Sequence, residues 1–115
     1  MRKIFYLSTC DTCKKILKSV NTENVDLVDI KYNPITEKEL DSAAQISGTY
    51  ESLFNKRAQK LKIMKSEEKP VTEADFKKLI LSDYTFMKRP LAFIGNQVIA
   101  GNDKDTVMKF IQLFG

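Results

Sequence analysis

Cys10 and Cys13 in "STCDTCKK" (8–15) are the only cysteines of the chain, and they stand three residues apart. That spacing suits three kinds of chemistry: half of a metal site, a redox pair, or one working thiol beside an incidental neighbour. A structural zinc site needs two further ligands, and the chain holds no other cysteine and no histidine. Within one chain no metal is expected, and zinc could be completed only across a dimer. The missing histidine also excludes a His–Cys nucleophile pair and a His general base. Whatever activates a thiol here must come from the backbone or from cations.

Cys10 falls at a corner. The apolar run "KIFYL" (3–7) reads as a buried strand, and Asp11 to Asn21 reads as a helix with Cys13, Ile16, Leu17 and Val20 on one face. A thiolate at that helix start faces unpaired N–H groups and the positive end of the helix dipole. Such positions lower a cysteine pKa from about 8.5 into a range of roughly 3.5–7.5. Lys14 and Lys15 add positive charge, and Asp11 opposes them. Cys13, one turn on, is expected to lie partly buried behind Cys10, either as a resolving thiol or as a small core residue.

Two arginines stand out from an otherwise ordinary basic background. Arg57 lies in "FNKRAQK", a segment expected to be anchored by Leu53, Phe54, Leu61 and Ile63. Arg89 precedes Pro90 and a predicted strand, so the Arg89-Pro90 bond is a candidate for the cis form. A guanidinium offers paired donors to a carboxylate or a tetrahedral oxyanion, which an ammonium cannot match.

The elements that must position these groups follow from periodicity. "VDLVDI" (25–30) is a second strand, so the chain begins strand–helix–strand, the pattern of a parallel βαβ unit. Thr36 with Glu39 and Thr72 with Asp75 form two capping patterns. The first opens a helix over about 37–46 with Leu40, Ala43 and Ala44 inward. The second opens one carrying Phe76, Leu79 and Ile80. Between them "YESLFNKRAQKLKIM" (50–64) reads as one or two short helical segments. "LAFI" (91–94) and "QVIA" (97–100) form a hairpin across Gly95-Asn96. Asp103 to Phe114 is a last helix with Val107, Phe110, Ile111 and Phe114 aligned. The order is βαβ, helical block, ββα: a single α/β domain over 1–115 with a helical insertion at 34–86.

The totals agree with that architecture. A chain of 115 residues supports one core, and 43% hydrophobic with 30% charged residues is a globular composition. Ile4 to Leu7 is too short for a signal-peptide core, and no stretch is long enough to span a bilayer. The expectation is a cytoplasmic protein, a monomer, where a lone cysteine pair is catalytic, sensing or metal-binding rather than a structural cross-link. The net charge of +4 favours an anionic substrate without demanding nucleic acid.

Taken together, "CDTCKK" (10–15), "LFNKR" (53–57), "KRPLAF" (88–93) and "QVIAG" (97–101) resemble, in order and spacing, the glutaredoxin-linked arsenate reductase family with its Spx-like and uncharacterised relatives. The resemblance covers essentially the whole chain and implies a thioredoxin-like fold. It further implies that Cys10 attacks an oxyanion or disulfide, that Arg57 and Arg89 bind the anion, and that Pro90 is cis beside the thiol. No tightly bound cofactor is implied. Glutathione, glutaredoxin or thioredoxin would be the reductant, or Cys13 would resolve the adduct internally. The chain departs from the family in two places. Asn102 stands near where arsenate reductases of this type carry a third arginine, and Ala58 follows Arg57 where a glycine is common. The CxxC is more typical of the Spx-like branch, whose members are redox switches that bind RNA polymerase. A thioredoxin-like scaffold that only binds glutathione or a partner is the third alternative.

Overall fold

The computed structural model describes residues 1–115. The chain falls into two compact units, residues 1–34 with 89–115, and residues 35–88.

The first unit is built on a four-stranded sheet: β1 (Arg2–Tyr6), β2 (Asp26–Asp29), β3 (Leu91–Ile94) and β4 (Gln97–Ala100), in the order β2-β1-β3-β4. β1 runs parallel to β2, with Ile4 opposite Leu27. It runs antiparallel to β3, with Ile4 opposite Ala92, and β3 in turn pairs antiparallel with β4. The hairpin turn is Gly95-Asn96 as expected, and Gly95 supplies the positive φ of 57° that a two-residue turn needs. Two helices belong to this unit, α1 (Asp11–Lys18) and α5 (Lys104–Phe114). Alternation along the strands sends Ile4, Ala92 and Ile99 to one face, where they form a core with Ile16 of α1 and Phe110 and Phe114 of α5. The opposite face carries Phe5, Leu91 and Phe93, also buried, with the Phe5 and Phe93 rings edge to face at 6.1 Å.

Two sequence expectations shift here. α1 ends at Lys18 rather than Asn21. The Ser19 N–H closes a tight last turn on the Ile16 carbonyl at 3.0 Å, and the Asn21 N–H donates instead to the Phe114 carbonyl at the end of α5, also at 3.0 Å. The second shift is on α5, where Ile111 is 40% exposed while Phe110 and Phe114 are buried. A residue following Phe110 sits about 100° around the helix, at the rim of the apolar stripe.

The second unit is helical. Its helices are α2 (Glu37–Ser47), α3 (Gln59–Lys62) and α4 (Glu73–Ser82), with short 3-10 turns at Glu51–Leu53, Ser66–Glu68 and Tyr84–Phe86. Both expected capping boxes form, Thr36 with Glu39 and Thr72 with Asp75. Leu40, Ala43 and Ala44 are buried, as are Phe76 and Ile80. Phe54 packs edge to face on Phe76 at 5.1 Å and stacks on Phe86 at 5.7 Å. The segments that carry Phe54 and Phe86 are tied by the Asn55 N–H to the Phe86 carbonyl at 2.7 Å and the Lys88 N–H to the Leu53 carbonyl at 2.8 Å. Lys60 pairs with Asp83. Ile63 is 84% exposed, so Leu53 and Phe54 anchor this segment and Ile63 does not. No helix of the chain is long and apolar enough to cross a membrane.

Candidate functional site

The site grows from the corner between β1 and α1. Cys10 is the N-cap of α1, extended at φ −98° and ψ 112°. Its N–H donates to the Leu7 carbonyl at 3.0 Å, which folds the Ser8-Thr9 turn tightly, and its carbonyl accepts the Lys14 N–H at 3.1 Å. The turn is also held from β2. The parallel register sets Tyr6 opposite Asp29, and Asp29 Oδ1 accepts the Ser8 N–H at 3.3 Å and the Lys31 N–H at 3.2 Å. Burial works to raise the Asp29 pKa, but the bonds from Ser8 and Lys31 outweigh it and hold the carboxyl below its ordinary value.

Asp29 therefore contributes stability that is present above the unfolded carboxylate pKa and lost as pH falls through the lower folded value. Asp29→Ala is expected to cost about 1 kcal/mol near neutrality, charge-assisted bonds being discounted here for solvent exposure. Urea unfolding at neutral pH and below the ordinary value of 3.8 checks this, with the gap between wild type and variant narrowing in acid.

Cys10 is half-exposed, and Cys13 is completely buried with 0% exposure. Cys13 and Ile16 repeat on the core face of α1, while Cys10 lies at the mouth of the helix before that face begins. Burial is the largest single influence on Cys10 and raises its pKa. The backbone N–H and side chain of Cys13, and the hydrogen bond and charge of Arg89, together overcome it, so the thiol is held below its ordinary value of 9.0. The sulfur makes no full-geometry capping bond, so the Cys13 N–H acts on it from a looser approach. Arg89, rather than Lys14 or Lys15, is the leading cation. Cys13 goes the other way: burial above all, joined by the charge and hydrogen bond of Cys10, pushes it up to about 12, although the Leu7 backbone and, more weakly, Arg89 work to lower it.

Arg89 is half-buried, and two of its nitrogens, Nε and Nη1, are buried with no hydrogen-bond partner in the protein. Buried donors without partners are costly unless something accepts from them. The geometry thus pairs an acidified thiol with unused guanidinium donors. Pro90 is fully buried, and the Arg89-Pro90 bond is cis. Its carbonyl accepts the Gly101 N–H at 3.0 Å, and the Arg89 carbonyl accepts Asn102 Nδ2 at 3.0 Å.

Of the residues singled out in the sequence, Cys10, Cys13 and Arg89 are thus brought together within the first unit, with Pro90 following Arg89 in the chain. Arg57 lies in the second unit, on an exposed turn whose backbone is set by its N–H donating to Asn55 Oδ1 at 3.1 Å. Sequence reasoning missed Asp29 and the bond made by Asn102. The one available signal for Asp29 was its place as the second acid of "VDLVDI", one residue before the end of that predicted strand.

A mixed sheet with a cysteine at the mouth of its first helix and a cis-proline loop belonging to the same unit defines a thioredoxin-like thiol protein. Residues 5–110 match the ArsC family model. The chain belongs to the ArsC family. Solved structures share its fold. An arsenate reductase-related protein of Brucella melitensis is 20% identical, with a TM-score of 0.71 over 97% of this chain and 95% of that one. An arsenate reductase of Vibrio cholerae is 14% identical, with a TM-score of 0.71 over 95% and 96%. A protein of Staphylococcus aureus is 25% identical, with a TM-score of 0.71 over 95% and 97%. No curated protein matches the chain.

Proposed function

We propose that this protein is a thiol-dependent oxidoreductase of the arsenate reductase type, with Cys10 as nucleophile and Arg89 as the anion-binding group. The observation that carries this is the acidified, half-exposed Cys10 thiol beside a guanidinium with two unpartnered buried donors. Family membership supports an oxyanion substrate and a thiol reductant. Pro90 would border the bound substrate.

With arsenate, the Cys10 thiolate bonds to arsenic(V), and one arsenate oxygen leaves as water with protons from solvent. A second thiol then attacks the Cys10 sulfur. The S–As bond breaks with its electron pair kept by arsenic, which leaves as arsenite. The two sulfurs, oxidised together, form a disulfide, and the attacking thiol gives up its proton. With a disulfide substrate, Cys10 displaces one thiolate directly, and the second thiol resolves the mixed disulfide in the same way. The second thiol is glutathione, with glutaredoxin or thioredoxin closing the cycle, or it is Cys13. Internal resolution has a physical route. The negative charge of Cys10 is one cause of the high Cys13 pKa, and adduct formation removes that charge. Cys13 thus becomes easier to ionise only after Cys10 has reacted.

The assay is reduction of arsenate and of a glutathione mixed disulfide, each with glutathione and glutaredoxin. No turnover with either would remove the proposal. With no glutathione present, Cys13→Ser is expected to form the Cys10 adduct normally but to retain it, whereas the wild type is expected to close a 10–13 disulfide; intact-protein mass spectrometry reads the difference. The buried Cys13 within a CxxC also supports a second use of the pair, as an Spx-like switch that binds RNA polymerase. Pull-downs of the oxidised and reduced protein test it, and recovery of no polymerase in either state would exclude it. Action in the cytoplasm as a monomer fits both uses.

A further inference from the structure

We propose that Asn102 is a positioning residue for Arg89, acting through the backbone rather than on substrate; this rests on the role proposed above for Cys10 and Arg89. The antiparallel ladder of β3 and β4 ends with Leu91 opposite Ala100. One step further along the same register come Pro90 and Gly101, then Arg89 and Asn102. Pro90 has no N–H, so a regular strand pair cannot continue through it. The chain keeps its grip in two other ways. Gly101, at φ 114°, turns its N–H onto the Pro90 carbonyl at 3.0 Å. That φ suits glycine and strains any other residue. Asn102 then reaches across with its side-chain amide and donates Nδ2 to the Arg89 carbonyl, also at 3.0 Å. A side chain thus supplies the donor to a carbonyl that lies beyond the paired strands.

The consequence falls on the guanidinium. Nε and Nη1 of Arg89 have no protein acceptor. No bond from those two nitrogens fixes the head group, so its aim is set by its hydrogen bond to Cys10 and by where the Arg89 backbone is held. Asn102 is itself half-buried and spends Nδ2 on that carbonyl. Its contribution is therefore the placement of the cation that faces Cys10.

The test is the pH dependence of Cys10 alkylation by iodoacetamide, with thermal unfolding measured alongside. Asn102→Ala and the near-isosteric Asn102→Leu both leave the Arg89 carbonyl unpaired. Each is expected to move the alkylation inflection upward and to slow alkylation at neutral pH about threefold, the effect of a half-unit rise in pKa. Asn102→Ser, which keeps a shorter donor and guards against loss of folding in the other two, gives an intermediate shift. In an Arg89→Ala background the Asn102 substitutions add nothing, because the group they position is gone. A lower melting temperature with an unchanged alkylation profile would overturn the proposal by reducing Asn102 to a structural role. An equal shift in the Arg89→Ala background would overturn it too. A wild-type inflection at the ordinary thiol value would remove the role of Cys10 first, and this proposal with it.

Discussion

Cys10→Ser is expected to reduce turnover by at least about a thousandfold while leaving the fold intact or slightly firmer. The two halves of that expectation have separate causes. Cys10 occupies the N-cap of α1 without a full capping bond, and serine is among the preferred N-cap residues. The substitution therefore costs α1 nothing and can supply the missing bond. The chemistry has no substitute, because a serine hydroxyl is not ionised near neutrality and the other thiol cannot take over. Cys13 is completely buried, with a pKa pushed up to about 12. Two measurements separate the effects. Iodoacetamide should label the native wild type once, at Cys10, with a rate that rises with pH to an inflection below 9.0. The serine variant should take no label until it is unfolded. Turnover retained by a properly folded variant would place the nucleophile elsewhere.

The local parts of this molecule were legible because they depend on neighbours in sequence. The capping boxes at Thr36 and Thr72, the Gly95-Asn96 turn and the burial of Cys13 and Ile16 are all set within a few residues. The failures were of reach. Whether Ile111 or Phe110 lies at the centre of the α5 stripe depends on the sheet it packs against, which periodicity does not contain. Asp29 meets Ser8 across 21 residues only because β1 and β2 pair in one parallel register. Asn102 meets Arg89 only because β3 and β4 pair in one antiparallel register. The proximity of Arg89 to Cys10 belongs to the same kind, for no local pattern joins the two loops, and only the likeness to a family indicated it. The site was thus readable as residue types, while its electrostatics waited on topology.

Arg89→Ala is expected to lower kcat/KM for an oxyanion by about 100- to 1,000-fold, the range seen when one donor to a developing negative charge is removed. Part of the loss comes through Cys10. Burial raises that thiol, and the hydrogen bond and charge of Arg89 are among the forces that overcome it, so without the guanidinium the alkylation inflection moves up and less thiolate is present at neutral pH. That part is recoverable by raising the pH. The rest would come from the proposed direct contact between the anion and the guanidinium, and no change of pH would restore it. The two parts distinguish the substrate classes. For arsenate, the deficit of Arg89→Ala should persist above the Cys10 inflection. For a neutral disulfide, it should shrink there to a small factor, because only the thiolate fraction was at stake. Arg89→Lys sharpens the contrast: an ammonium keeps the charge but not the planar pair of donors. It should restore most of the thiol acidity, and disulfide turnover with it, while oxyanion turnover stays low. Equal recovery with both substrates would mean that the guanidinium acts on Cys10 alone and that the oxyanion is bound by other groups.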